Sequence, residues 1–90
     1  MKTQVRNLES TRGNKVANQF EVKTDKGLFF QSYNSVIAFI PCDCSPIQLD
    51  KKYWDYSKTT GKYRNLFLGE NKAETLKKIE QGIYILTDLN

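Results

Sequence analysis

Ninety residues and 10.4 kDa make one domain the expectation, since chains divide only at greater lengths, and 39% hydrophobic with 27% charged residues is an ordinary globular balance. The chain contains no histidine, which excludes His-based triads, His general bases and His-ligated metals. The formal net charge is +4, and no apolar run approaches the ~18 residues that cross a bilayer, so no membrane role is expected.

Residues 1–15 are polar. Met1-Lys2-Thr3-Gln4-Val5-Arg6 lacks the apolar region of a secretory signal, which makes the cytoplasm the expected location. Glu9-Ser10-Thr11-Arg12-Gly13-Asn14 reads as a loop, and Val5 and Leu8 allow a short edge strand before it. From Val16 the pattern becomes a strand. Val16, Asn18, Phe20 and Val22 share one parity, while Gln19, Glu21 and Lys23 share the other. Thr24-Asp25-Lys26-Gly27 is a hairpin turn in which Gly27 takes a positive φ, and Leu28–Tyr33 resumes as a strand. Asn34-Ser35 reverses the chain into Val36–Ile40, which is apolar on both parities and so reads as the central strand. Two prolines make Pro41–Pro46 a loop, after which Ile47–Leu49 returns as a short strand.

Beyond Asp50 the signals are helical. Tyr63, Leu66 and Phe67 stand at i, i+3 and i+4, with Ser57 or Thr59 as N-cap and Gly69 as the stop. Asn71-Lys72-Ala73-Glu74 is a capping box for a second helix, whose Ala73, Leu76 and Ile79 face one side and which Gly82 closes. Ile83–Leu86 is a last strand. The expected fold is α+β: a small antiparallel meander of four or five strands with two short helices packed on one face. Its parts are a polar segment 1–15, a β-meander 16–50, a helical region 51–82 and a C-terminal strand 83–87.

Residues 51–64 hold Lys51, Lys52, Lys58, Lys62 and Arg64 against Asp55 alone, a local excess equal to the whole net charge. Tyr53, Trp54, Tyr56 and Tyr63 lie in the same segment. Cations attract polyanions, and aromatic faces stack bases or bury in a partner. The plainer account has the lysines solvating an exposed turn while the aromatics fill the core. Lys58 and Lys62, four apart, share a helix face.

Signals for catalysis are weak. Cys42-x-Cys44 is poorly spaced for a mutual disulfide, and without histidine a zinc set stays incomplete unless two chains share it, so free thiols are expected. Thr59-Thr60-Gly61-Lys62 resembles the end of a phosphate loop, but Tyr56 stands where an earlier glycine is needed and Tyr63 where a Ser or Thr should follow. Gly61 is better read as relieving crowding in a first helical turn. Asp50 and Asp55 are the nearest carboxylate pair, and Asp55 is more simply an ion-pair partner or cap.

The segment Tyr53-Trp54-Asp55-Tyr56-Ser57-Lys58-Thr59-Thr60-Gly61-Lys62-Tyr63-Arg64-Asn65 resembles an uncharacterised family of short phage and mobile-element proteins. That family is marked by the pattern Tyr-Trp-Asp-Tyr-Ser-x-Thr-Thr-x-Lys-Tyr. The likeness spans roughly residues 16–87, includes Phe67-Leu68-Gly69 and the lysine-rich stretch Lys72–Gln81, and omits Cys42–Pro46. It implies a viral accessory protein, placed in the host cytoplasm, and no particular activity.

The expected function is a non-catalytic accessory protein, without cofactor or metal. It would contact a polyanion, either nucleic acid or an acidic protein surface, through Lys51, Lys52, Lys58, Lys62, Arg64 and Tyr56. In that picture Trp54 packs on the sheet between Tyr56 and Tyr63, and Lys58, Lys62 and Arg64 point outward together. The alternative is an interaction module that self-associates through its strand edges, without nucleic acid.

Overall fold

The alternating Val, Phe and Ile stretches, each bounded by turn residues, become six strands in the computed structural model, which describes residues 3–10 and 12–90. Met1, Lys2 and Thr11, which belong to the predicted polar segment, lie outside the described residues. The strands are β1 (Gln4–Glu9), β2 (Lys15–Thr24), β3 (Gly27–Ser32), β4 (Ser35–Pro41), β5 (Gln48–Asp50) and β6 (Ile85–Thr87). Helices α1 (Lys58–Leu68) and α2 (Lys72–Glu80) separate the last two strands. All six strands form one sheet in chain order, antiparallel from β1 to β5, with β6 parallel to β5.

The fold is thus α+β with two helices, but the sheet is larger than four or five strands and is mixed. β1 pairs along most of its length with β2, so the weak Val5/Leu8 signal is a full strand. The chain then crosses through both helices before β6, and such a crossover returns it in the same direction.

The turns explain the register. Gly27 has φ +146, and a Cβ there would collide with the Ile40 carbonyl of β4, so only glycine fits the first hairpin. The second reversal sits one residue earlier than predicted. Ser32 pairs with Ser35, and Tyr33, at φ +55, starts the turn while its N–H donates to the Asn18 carbonyl at 2.7 Å.

One parity of the sheet faces the helices. Phe30, Ala38 and Leu49 lie side by side across β3, β4 and β5, and with Ile37, Tyr63 and Tyr84 they form the buried core. The Phe30 and Phe67 rings stack at 5.6 Å, which docks α1 on the sheet. β2 departs from its predicted pattern. Asn18 adopts φ +64 and breaks the alternation, so Val16 packs against the core while Phe20 and Val22 do not share its face. Gln19 becomes the fully buried residue instead, with no protein partner for either side-chain amide atom. Helix α2 also differs. Thr75 is buried and Ile79 packs on the core, whereas Ala73 and Leu76 are exposed. The reason lies in Glu70, which accepts from Thr75 Oγ1 at 2.6 Å, from Lys78 Nζ at 2.6 Å and from Tyr84 Oη at 2.7 Å. This polar network turns the Thr75/Ile79 side inward.

The end of the sheet is tied by Asp50, only 1% exposed. Its carboxylate accepts from the backbone N–H of Lys52 at 3.1 Å, Tyr53 at 2.9 Å and Leu89 at 2.8 Å. Burial pushes its pKa up, but hydrogen bonds from Leu89, Asn90, Tyr53 and Lys52 outweigh burial and leave it below the ordinary carboxylate value. Because the folded value is the lower one, the unfolded chain binds more protons as acid is added. The stabilisation is complete above about pH 4 and is lost as pH falls through the folded pKa. Urea unfolding should therefore show stability falling in acid, with a shallower fall in Asp50→Asn. That variant should also lose about 1–3 kcal/mol at pH 7. A pH profile unchanged by the substitution would remove this role.

Candidate binding cleft

After β5 the chain makes two tight turns, with the Trp54 N–H donating to the Asp50 carbonyl at 2.9 Å and the Tyr56 N–H to the Tyr53 carbonyl at 3.2 Å. Ser57, in extended conformation, then starts α1. Its Oγ accepts from the Thr60 N–H at 3.1 Å, so Ser57 rather than Thr59 is the N-cap. Thr60 is buried, with its Oγ1 3.0 Å from Ser32 Oγ on β3, which anchors the first helical turn to the sheet. The Thr59-Thr60-Gly61-Lys62 stretch is therefore helix and not a loop.

Arg64 is the main correction to the expected basic face. Its side chain is 1% exposed and points inward. Nη1 donates to the Trp54 carbonyl at 2.7 Å and to Asp55 Oδ1 at 3.1 Å, and Nη2 donates to Asn65 Oδ1 at 3.0 Å. The guanidinium carbon lies 5.1 Å from the Trp54 ring centroid. Arginine's planar fork can hold the preceding turn by several bonds at once, which explains why it is drawn in where a lysine would stay in water. Tyr56 does not bracket Trp54 either. It is 67% exposed and meets the Tyr53 ring edge-on at 5.5 Å.

Asp55 is the hinge of the local electrostatics. Oδ1 holds Arg64, and Oδ2 holds Lys72 of α2 at 2.6 Å. Burial raises its pKa, yet the hydrogen bonds and positive charges of Lys72 and Arg64 prevail and hold it below the usual range. Lys72 escaped the sequence reading. One signal was available: a lysine at the first position of a helix opposes the dipole and invites a carboxylate from elsewhere.

Between the outer side of α1 and the junction with α2 lies a cleft of about 980 Å³, lined among others by Lys58, Lys62, Asn65, Leu66, Gly69 and Lys72. Lys58 and Lys62 are exposed, and neither joins an ion pair among the described residues. Lys62 Nζ lies 5.5 Å from the Tyr63 ring centroid. Lys51 and Lys52 are exposed too but belong to the turn outside this cleft, Lys52 Nζ being 5.3 Å from the Tyr53 ring centroid. The six candidates therefore divide: two line the cleft with free charge, one is buried, and three stand on the neighbouring turns.

The other chemical candidates are placed as follows. Asp50 and Asp55 both accept structural hydrogen bonds. Cys42 and Cys44 are exposed free thiols, and among the described residues no three His, Cys, Asp or Glu side chains converge as a metal group would require. Gly61 does not relieve crowding. A Cβ there would lie 3.7 Å from Arg64 Nη2 and 3.8 Å from Asp55 Oδ1, which is ordinary contact.

A family model described as a family of unknown function (DUF8033) matches residues 3–82. No curated protein and no solved structure matches the chain.

The clamp and the free lysines make separable predictions. Arg64→Ala removes the buried guanidinium that ties the Trp54 carbonyl, Asp55 and Asn65 together and should cost about 2–4 kcal/mol in denaturant unfolding. Lys58→Ala and Lys62→Ala should stay within about 0.5 kcal/mol of wild type. Gly61→Ala should be neutral or stabilising by up to about 1 kcal/mol, because a helix-interior glycine is replaced where space exists. A wild-type stability for Arg64→Ala would show that the buried guanidinium is not a brace.

Proposed function

We propose that this chain, which belongs to that family of unknown function, is a non-catalytic binding protein whose α1 cleft contacts a polyanion, either nucleic acid or an acidic protein surface. The observation that carries this reading is the pair Lys58 and Lys62. They stand one helical turn apart on the cleft, exposed and unpaired, while Asp55 is already occupied by Arg64 and Lys72. Two ammonium groups without counter-ions on one concave surface suit phosphates or carboxylates of a partner. Exposed Tyr56 on the preceding turn offers an aromatic face to a base or an apolar side chain nearby. Lys51 and Lys52 extend the positive field without lining the cleft.

The carboxylates that line the cleft, Asp55 and Glu70, are committed to structural bonds, which favours binding over acid–base chemistry. The likeness of Tyr53–Asn65 to short phage and mobile-element proteins supports a viral accessory role in the host cytoplasm.

Fluorescence titration with a labelled single-stranded oligonucleotide and with polyglutamate, each at low salt, tests the reading. Binding should weaken steeply with salt. In Lys58→Ala/Lys62→Ala the log–log salt slope for the oligonucleotide should fall by about 1.4, which is ~0.7 for each lost contact with a single strand. Binding of neither polymer, or an unchanged slope in the double variant, would overturn the proposal.

A further inference from the structure

The helices cover one face of the sheet, and the register shows what remains on the other. Val5, Val22, Phe29, Phe39, Gln48 and Ile85 are paired successively across all six strands and so form one row. Beside it runs a second row of Asn7, Phe20, Gln31 and Val36. Phe30, their neighbour on the opposite parity, stacks on Phe67 of α1, so both rows point away from the helices. Neither row contains a charged residue. The Phe29 and Phe39 rings stack at 4.2 Å in the middle of the face, while Val5 is 62% and Ile85 45% exposed at its two ends. A charge-free and mostly apolar row that runs across six strands, half-buried in the middle and exposed at both ends, marks a surface that is covered in use.

We propose that a second copy of this chain covers it, the two helix-free faces packing sheet on sheet about a two-fold axis. Three observations favour that occupant. First, the size fits. The molecule measures 34 × 32 × 20 Å, so the outline of its broad side is roughly 850 Å² as an ellipse, enough to hold the ~800 Å² each partner gives to a stable interface. Secondly, the chain exposes 5961 Å², about 10% more than the ~5,400 Å² that surface scaling gives a compact monomer of this mass. Thirdly, the charge distribution fits. Two rows without charge meet their own copies without burying an unpaired ion. Asp50, the acid at the next position of that parity on β5, is already bonded to backbone N–H groups, so an acidic partner or a polyanion finds no cation in these rows to pair with. The free lysines of the α1 cleft lie in the helix layer on the far side, so two copies would keep them well beyond a Debye length of ~8 Å. The strand edges are less suited to the contact. β1 carries the Arg6–Glu21 ion pair and a register irregularity between Asn7 and Glu9, both of which blunt an edge. This inference stands apart from polyanion binding.

Sedimentation equilibrium of the full chain tests it. Wild type should approach twice 10.4 kDa at concentrations of several hundred micromolar. Val5→Glu/Ile85→Glu, with circular dichroism unchanged, should return to the monomer mass, and Lys58→Glu/Lys62→Glu should remain dimeric. If the first pair does not fold, Gln48→Lys places a charge in the same row at a polar position and is read the same way. A monomeric wild type overturns the proposal. So does a dimer that survives charge in this row, or one abolished by the cleft variant.

Discussion

The buried Arg64 guanidinium is the constraint on which the candidate site depends. It reaches from α1 to the Trp54 carbonyl and to Asp55, and Asp55 reaches on to Lys72 of α2. One ion triad therefore joins the turn after β5, the first helix and the start of the second. A buried cation is costly unless its donors are matched, and here Trp54, Asp55 and Asn65 supply acceptors to Nη1 and Nη2 and the Trp54 ring lies beside the guanidinium, while Nε has no protein partner. The consequence is electrostatic as well as mechanical. Asp55, the lone acid among residues 51–64, is taken up by Arg64 and Lys72, and Lys58 and Lys62 are left with uncompensated charge.

This division could not be read from charge counting. Lysine and arginine contribute equally to a formal net charge, but only arginine presents a fork able to bind a carbonyl, a carboxylate and a side-chain amide together. The local signals were more legible. Ser57 as a cap, Gly69 in the left-handed conformation and the Asn71/Glu74 capping box all follow from side-chain chemistry within four residues, and all are present. Gly27 likewise announced the first hairpin. The misreadings arose where tertiary contacts override local pattern. Asn18 takes a positive φ and shifts the alternation of β2, so that Gln19, not Phe20, is buried. The Glu70 network draws in Thr75 and leaves Leu76 exposed, against the apolar periodicity of α2.

The same comparison explains why the two sides of the sheet were hard to tell apart from sequence. β3 and β4 are apolar on both parities, as strands covered on both faces are. Phe30 and Ala38 belong to the core under the helices, whereas Phe29 and Phe39 stack on one another on the opposite parity. Two helices totalling twenty residues cover one side of a six-strand sheet and no more. The apolar content of β3 and β4 thus exceeds what this chain's own helices bury.

Placing the two surfaces on opposite layers has a mechanical meaning. The α1 cleft belongs to the helix layer, and the uncharged rows belong to the far side of the sheet. In a face-to-face pair each cleft would look outward, and neither would be blocked by the contact that forms the pair. A two-lysine site is weak by itself, since each charge neutralised adds little at physiological salt. Two such sites on a rigid body gain by effective concentration when they engage one long polyanion, and gain nothing from a short one that reaches a single cleft. Length of the partner, more than its sequence, would then set affinity, which suits a surface that offers charge and a neighbouring aromatic ring but no base-reading fork, because the arginine of the segment is turned inward.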